Sequence, residues 1–304
     1  VGLPSPRGYQ RSLSFDLFAG LSSGMARPSC PQRTVPPMAN DHGPEMWREG
    51  RGAAEAFSLL RSSLWRGHGV EHGDGQPVML IPGFLAGDRS MAMMGQWLRR
   101  IGYRTHGSGI SAHVGCSEQT VNEIEQRVIA LSERYGQPVA LIGQSRGGSC
   151  ARVLAVRQPD RINRVIGLGS PLVAQMEDFH MLLRIQIRAL QGAQRLGAPG
   201  LIGEACERSW QAYTFGLEPS GCCSQFWADL DEDMPERTLF ASIYSRSDGV
   251  LNWRACLDPE ALQIEVNSSH CGMAVNREVY QQVGTLLQLE LAGGARQRLR
   301  SVAA

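Results

Sequence analysis

Short apolar runs alternate with helical stripes along this chain, and that rhythm limits the fold more than any other feature of the sequence. The runs Pro77-Val78-Met79-Leu80-Ile81, Pro138-Val139-Ala140-Leu141-Ile142 and Arg164-Val165-Ile166-Gly167-Leu168 are too short for buried helices and show no polar alternation. They therefore predict strands covered on both faces. Between them, Met91, Met94, Trp97 and Leu98 recur at helical spacing within 90–101. Val121, Ile124, Val128 and Leu131 do the same within 118–134, where Gly136 is the stop. A weak strand is expected at 103–108, further strands at 238–244 and 262–266, and a last helix at about 276–291. Strand and helix in alternation require right-handed crossovers, so the expected class is α/β, with a mostly parallel central sheet flanked by helices.

The rhythm fails in two places. Residues 1–44 hold Pro4, Pro6, Pro28, Pro31, Pro36, Pro37 and Pro44 among many Ser, Gly and Arg, without apolar periodicity, and are expected to be a disordered leader. Folding is expected to begin with a helix over 45–67, so that 45–304 forms the domain. The second break, at about 173–235, is expected to be a cap insertion: a helix over 176–196 followed by a loop-rich part containing Pro199, Pro219 and the Cys222-Cys223 pair. Met181, Leu183, Ile187 and Leu190 on that helix could cover a site.

Charge narrows the partners. Thirty basic and twenty-nine acidic residues leave a formal +1, which offers no field for nucleic acid or an anionic membrane. No stretch reaches the roughly 18 apolar residues of a membrane span, and no basic segment followed by an apolar core opens the chain, so a cytoplasmic protein acting on a small molecule is expected. The eight cysteines lack the repeated short-spaced pairs of a structural zinc site. The expectation is therefore no metal and no cofactor, with buried thiols or one disulfide in the C-terminal half.

Chemistry enters at Gly143-Gln144-Ser145-Arg146-Gly147, set between a strand and a helix. Flanking glycines let a serine occupy a sharp turn that lifts its hydroxyl clear of the backbone. A serine hydroxyl is a poor nucleophile at neutral pH and needs an imidazole to take its proton and a carboxylate to orient that imidazole. Asp248 follows the strand ending at Tyr244, and His270 follows the strand ending at Val266. In a parallel sheet both loops open on the edge that carries Ser145. The oxyanion of a tetrahedral intermediate needs two main-chain donors. Arg146, after the nucleophile, is one candidate; the Pro82-Gly83-Phe84 loop supplies the other, with Phe84 preferred and Leu85 the near alternative. The Arg146 side chain is expected to form a salt bridge on its helix, and His68, His72, His106 and His113 are expected in surface or loop roles.

From about Gln76 to Leu287 the chain resembles the α/β-hydrolase family, and in particular lipase/esterase-like members of actinobacterial type. The resemblance lies in Pro82-Gly83-Phe84, in Gly143-Gln144-Ser145-Arg146-Gly147-Gly148, in Ser247-Asp248-Gly249-Val250 and in Ser269-His270-Cys271-Gly272-Met273. The order Ser145, Asp248, His270 is the family's order. The resemblance implies cleavage of a small-molecule acyl ester through an acyl-enzyme on Ser145. Two alternatives stay open: acyl transfer to an alcohol by the same triad, and a non-catalytic binding protein of the same fold.

Overall fold

The computed structural model describes residues 45–172, 178–215, 217 and 220–289. The expected leader 1–44, the first residues of the insertion and the tail beyond 289 lie outside the described residues. Six strands, β1 (Pro77–Ile81), β2 (Arg104–Gly107), β3 (Val139–Gln144), β4 (Ile162–Leu168), β5 (Leu239–Tyr244) and β6 (Leu262–Glu265), form one sheet in the order β2-β1-β3-β4-β5-β6. Every adjacent pair is parallel.

Strand side chains alternate between two cores, because successive residues of a strand point to opposite faces. Val78, Leu80, Ala140, Ile142, Ile166, Leu168, Leu239 and Ala241 face the layer of α1 (Gly52–Arg61), α2 (Ala92–Arg100) and α8 (Arg277–Gln288). Met79, Ile81, Val139, Leu141, Val165 and Phe240 face α3 (Ser117–Tyr135) and α4 (Arg146–Arg157). The central strands β1, β3 and β5 are buried along their whole length, which is why their sequences read as unbroken apolar runs. The helix α3 ends at Gly136 in the left-handed conformation, φ 62°, as the sequence predicts. The arrangement is that of the α/β-hydrolase fold.

After β1 the chain passes outward to β2 and then returns to β3 on the other side of β1. The loops leaving β1 and β3 therefore diverge at one crevice at the sheet's C-terminal edge, where open α/β sheets bind ligands. Pro82-Gly83-Phe84 and Ser145 are the residues that leave those two strands.

Between β4 and β5 lie α5 (Met181–Arg195), α6 (Glu204–Thr214) and α7 (Ser224–Asp231). The expected helix is present from Met181, but the part expected to be loop-rich holds two further helices. Gly197, Pro199, Gly200 and Gly221 mark only the joints between them, and Trp210, Phe226, Trp227 and Leu230 provide the apolar faces that helix formation needs here. Among the described residues no helix is long and apolar enough to cross a membrane.

Candidate active site

Ser145 joins the end of β3 to the start of α4 with φ 51° and ψ −126°, a backbone conformation that side-chain-bearing residues rarely adopt. Steric room for that turn comes from its glycines. A Cβ at Gly143 would lie 2.3 Å from the Gly147 carbonyl carbon, and one at Gly147 would lie 2.3 Å from the Ile81 carbonyl oxygen. Any larger residue at either position would push α4 off β3 and β1. The Ser145 amide donates to the Leu168 carbonyl at 2.8 Å, which fixes the turn to β4.

Asp248 and His270 meet beyond β5 and β6. Asp248 Oδ2 lies 2.6 Å from His270 Nδ1, with both side chains buried. Asp248 Oδ1 accepts from the Val250 amide at 2.8 Å and the Leu251 amide at 2.7 Å, so the carboxylate cannot rotate without breaking three bonds. A carboxylate on Nδ1 sets the proton there and leaves Nε2 as the accepting nitrogen. The Gln144 side chain, one residue before Ser145, donates to the His270 carbonyl at 3.2 Å and ties the histidine loop to the serine turn. Burial is the largest single influence on His270 and favours the neutral ring. The Asp248 charge and hydrogen bond, with Glu49 behind them, outweigh it, and the pKa stands above the ordinary imidazole value.

Glu49 and Glu55 were not legible as site residues, and both come from the segment before β1. Glu49 Oε1 accepts from the Gly249 amide at 3.0 Å and the His270 amide at 2.9 Å, while Oε2 accepts from the Cys271 amide at 2.8 Å. One carboxylate therefore fastens the aspartate loop to the histidine loop. Glu55, 8% exposed, accepts from the Ser269 amide at 2.9 Å and from the Ser268 and Ser269 hydroxyls at 3.1 and 3.2 Å. No local motif announces contacts between residues 221 positions apart in the chain. Because Glu49 helps hold the His270 pKa up, Glu49→Gln is expected to move the His270 titration to lower pH. NMR titration of the ring protons checks this, and an unchanged or higher midpoint would contradict it.

The loop after β1 packs directly on Ser145, since a Cβ at Gly83 would lie 3.1 Å from Ser145 Cβ. The Leu85 amide is committed to the His113 carbonyl at 3.2 Å. That commitment leaves Phe84 as the candidate donor of this loop. His113 braces the same loop: its Nδ1 lies 2.9 Å from the Pro82 carbonyl oxygen, and its amide donates to the Ala86 carbonyl at 2.8 Å. The ring is 1% exposed, so the general expectation of surface or loop roles for the histidines is met at His113 only in its backbone, which lies in a loop. Arg146 also departs from expectation. Its guanidinium forms no salt bridge among the described residues; it donates to the Gly115 carbonyl at 2.7 Å, to Ser117 Oγ at 2.9 Å and to the His113 carbonyl at 3.4 Å. The side chain is spent on loop carbonyls, which have no sequence signature.

Burial, and then the Arg146 guanidinium, push the His113 pKa down to about 3 against the Pro82 carbonyl that raises it. The folded protein thus binds fewer protons here than the unfolded chain between pH 3 and the ordinary histidine value. Stability is expected to fall with decreasing pH across that window, by up to about 1.4 kcal/mol per unit from this group. Urea unfolding at pH 7, 5 and 4 checks the slope, which His113→Asn should flatten; equal slopes in both proteins would contradict the assignment.

Ser145, Arg146 and Phe84 open into an apolar cavity whose far wall is built by Leu183, Ile187, Trp210, Tyr213, Phe226 and Trp227. The aromatic members hold one another: Tyr213 stacks on Trp227 at 4.9 Å, and Phe226 meets Trp227 edge-on at the same separation. An apolar wall facing a polar turn suits a ligand with a hydrocarbon body and a polar reacting end.

No family model matches the sequence, and no curated protein matches it. Solved structures similar to it include the mature lipase of Bacillus licheniformis, at 14% identity and a TM-score of 0.49, covering 71% of this chain and 93% of that one. An extracellular α/β-hydrolase from a Paenibacillus species is 16% identical over 70% of this chain and 97% of its own, with a TM-score of 0.42. A monoacylglycerol lipase of Paleococcus ferrophilus is 14% identical over 71% of this chain and 97% of its own, with a TM-score of 0.43.

Proposed function

We propose that this chain is an α/β-hydrolase-fold serine hydrolase that cleaves carboxylic esters of small molecules through an acyl-enzyme on Ser145. The observation that carries the reading is the strained serine turn on the same sheet edge as the bonded His270–Asp248 pair. In this mechanism Ser145 Oγ attacks the ester carbonyl while His270 Nε2 takes its proton. Asp248 holds the ring in its tautomer and stabilises the imidazolium that forms. The Phe84 and Arg146 amides bind the oxyanion, each worth about 3 kcal/mol of barrier where such donors have been removed. His270 then protonates the departing alkoxide, which leaves as the alcohol. Water attacks the acyl carbon, again giving its proton to His270, and the acid departs as Ser145 recovers its own. No metal or cofactor is needed for these steps.

The apolar cavity supports an acyl group of hydrocarbon character, and residues 173–235 are proposed as the cap that forms its outer wall over the domain 45–304. Labelling of the folded protein with a fluorophosphonate probe tests the reading. The expected outcome is modification at Ser145 with loss of p-nitrophenyl ester hydrolysis. A folded protein that neither labels nor turns over esters would exclude a serine hydrolase and leave a binding role.

A further inference from the structure

We infer that Cys116, Cys206, Cys222 and Cys223 form a tetrathiolate site for zinc, fastening α6 and α7 to the N-terminal end of α3. The sulfur atoms of these four residues all lie within 4.8 Å of one another. Cys206 and Cys222 are 3.2 Å apart, Cys116 and Cys223 3.3 Å, and Cys222 and Cys223 3.7 Å. A tetrahedral ion with bonds of about 2.3 Å holds its sulfurs about 3.8 Å apart, inside that range. The sequence hid the set because its members come from three distant segments, so the reasoning from short-spaced pairs missed it.

Three helix starts surround the cluster. Cys116 is the residue before α3, Cys223 is the residue before α7, and Cys206 sits in the first turn of α6. The positive ends of three helix dipoles therefore converge on the sulfurs. Such dipoles favour the net negative charge of a tetrathiolate complex and offer little to neutral disulfides. A pair of disulfides would also need each bonded pair to close to about 2.05 Å, with no call for all four sulfurs to gather. Cys222 is exposed, and a surface depression lined by Cys116, Cys206 and Cys222 gives an ion its way in. Binding would release the thiol protons still held and leave the ion redox-silent, so no oxidant is required. Cys206 and Cys223 also line the cavity beside Ser145, which places the ion behind the wall that would receive the substrate.

The test uses the full chain, purified under reducing conditions without chelator and loaded with zinc or cobalt(II). About one ion per chain is expected, and the cobalt form should show thiolate charge-transfer bands with the strong visible bands of a tetrahedral site. Cys116→Ser and Cys222→Ser should each lose the ion and the bands, while Cys271→Ser, outside the cluster, keeps both. Chelation should lower the Tm of the wild type and leave that of Cys222→Ser unchanged. The inference is overturned if mass spectrometry finds disulfides among these four residues, if four free thiols take up no cobalt, or if the ion persists in both serine variants. The wild-type cobalt spectrum decides even where a variant fails to fold, and the metal readout is independent of hydrolase activity.

Discussion

Ser145→Ala is expected to lower the proposed ester hydrolysis by about 10⁴- to 10⁶-fold in kcat, the range seen when the nucleophile of a serine triad is deleted, while leaving the fold in place. The size follows from losing covalent catalysis and its base together, because His270 then has no proton to accept from the nucleophile. Stability should change by less than about 0.5 kcal/mol, since alanine keeps the Cβ and no described hydrogen bond is made by the hydroxyl alone. The left-handed turn at φ 51° remains held by the Leu168 carbonyl and the glycines around it. Active-site titration, steady-state kinetics and thermal unfolding of the same preparation check both halves. A residual rate within tenfold of wild type would show that another group is the nucleophile.

The largest stability effect is expected at Arg152, on the helix that Ser145 begins. Its side chain is wholly buried, with Nε 2.9 Å from Asp258, itself wholly buried, and one terminal nitrogen 3.4 Å from Glu260. It also donates to the Glu232 carbonyl at 2.9 Å, so a single guanidinium joins α4 to the chain before β5 and to the loop before β6. Taking a charged pair out of water is costly, and whether the pair stabilises relative to apolar residues is a separate matter. Removing one member strips the buried carboxylate of its compensating charge, at a cost of about 3–5 kcal/mol. Arg152→Met is expected to lose that amount in urea unfolding, and Arg152→Met with Asp258→Asn to recover part of it. A loss under about 1 kcal/mol in the single variant would mean that the cluster relaxes or takes up water.

The sheet was legible because burial on both faces writes itself locally. Val78 to Ile81, Ala140 to Ile142 and Leu239 to Tyr244 need no partner to be recognised as covered strands. The serine turn was equally visible, since its geometry demands glycine at fixed neighbours. The positions of Asp248 and His270 after strands followed from the same rhythm, and the structure places them 2.6 Å apart. Helices α6 and α7 were hidden because glycine and proline at their joints outweigh short apolar faces in a local reading.

What the sequence determined was thus the parallel α/β class, the strained serine, and the loops that carry a carboxylate and an imidazole. The tertiary structure alone decided which distant groups serve those loops. Glu49 and Glu55 hold the histidine loop, His113 braces the loop after β1, Arg146 ties the turn of Ser145 to the segment before α3, and the sulfurs of Cys116, Cys206, Cys222 and Cys223 gather at three helix ends. Apart from the sulfurs, these contacts join residues far apart in the chain through backbone donors and acceptors. Their partner choice depends on where the sheet and helices bring the main chain, which no local pattern of residue types records.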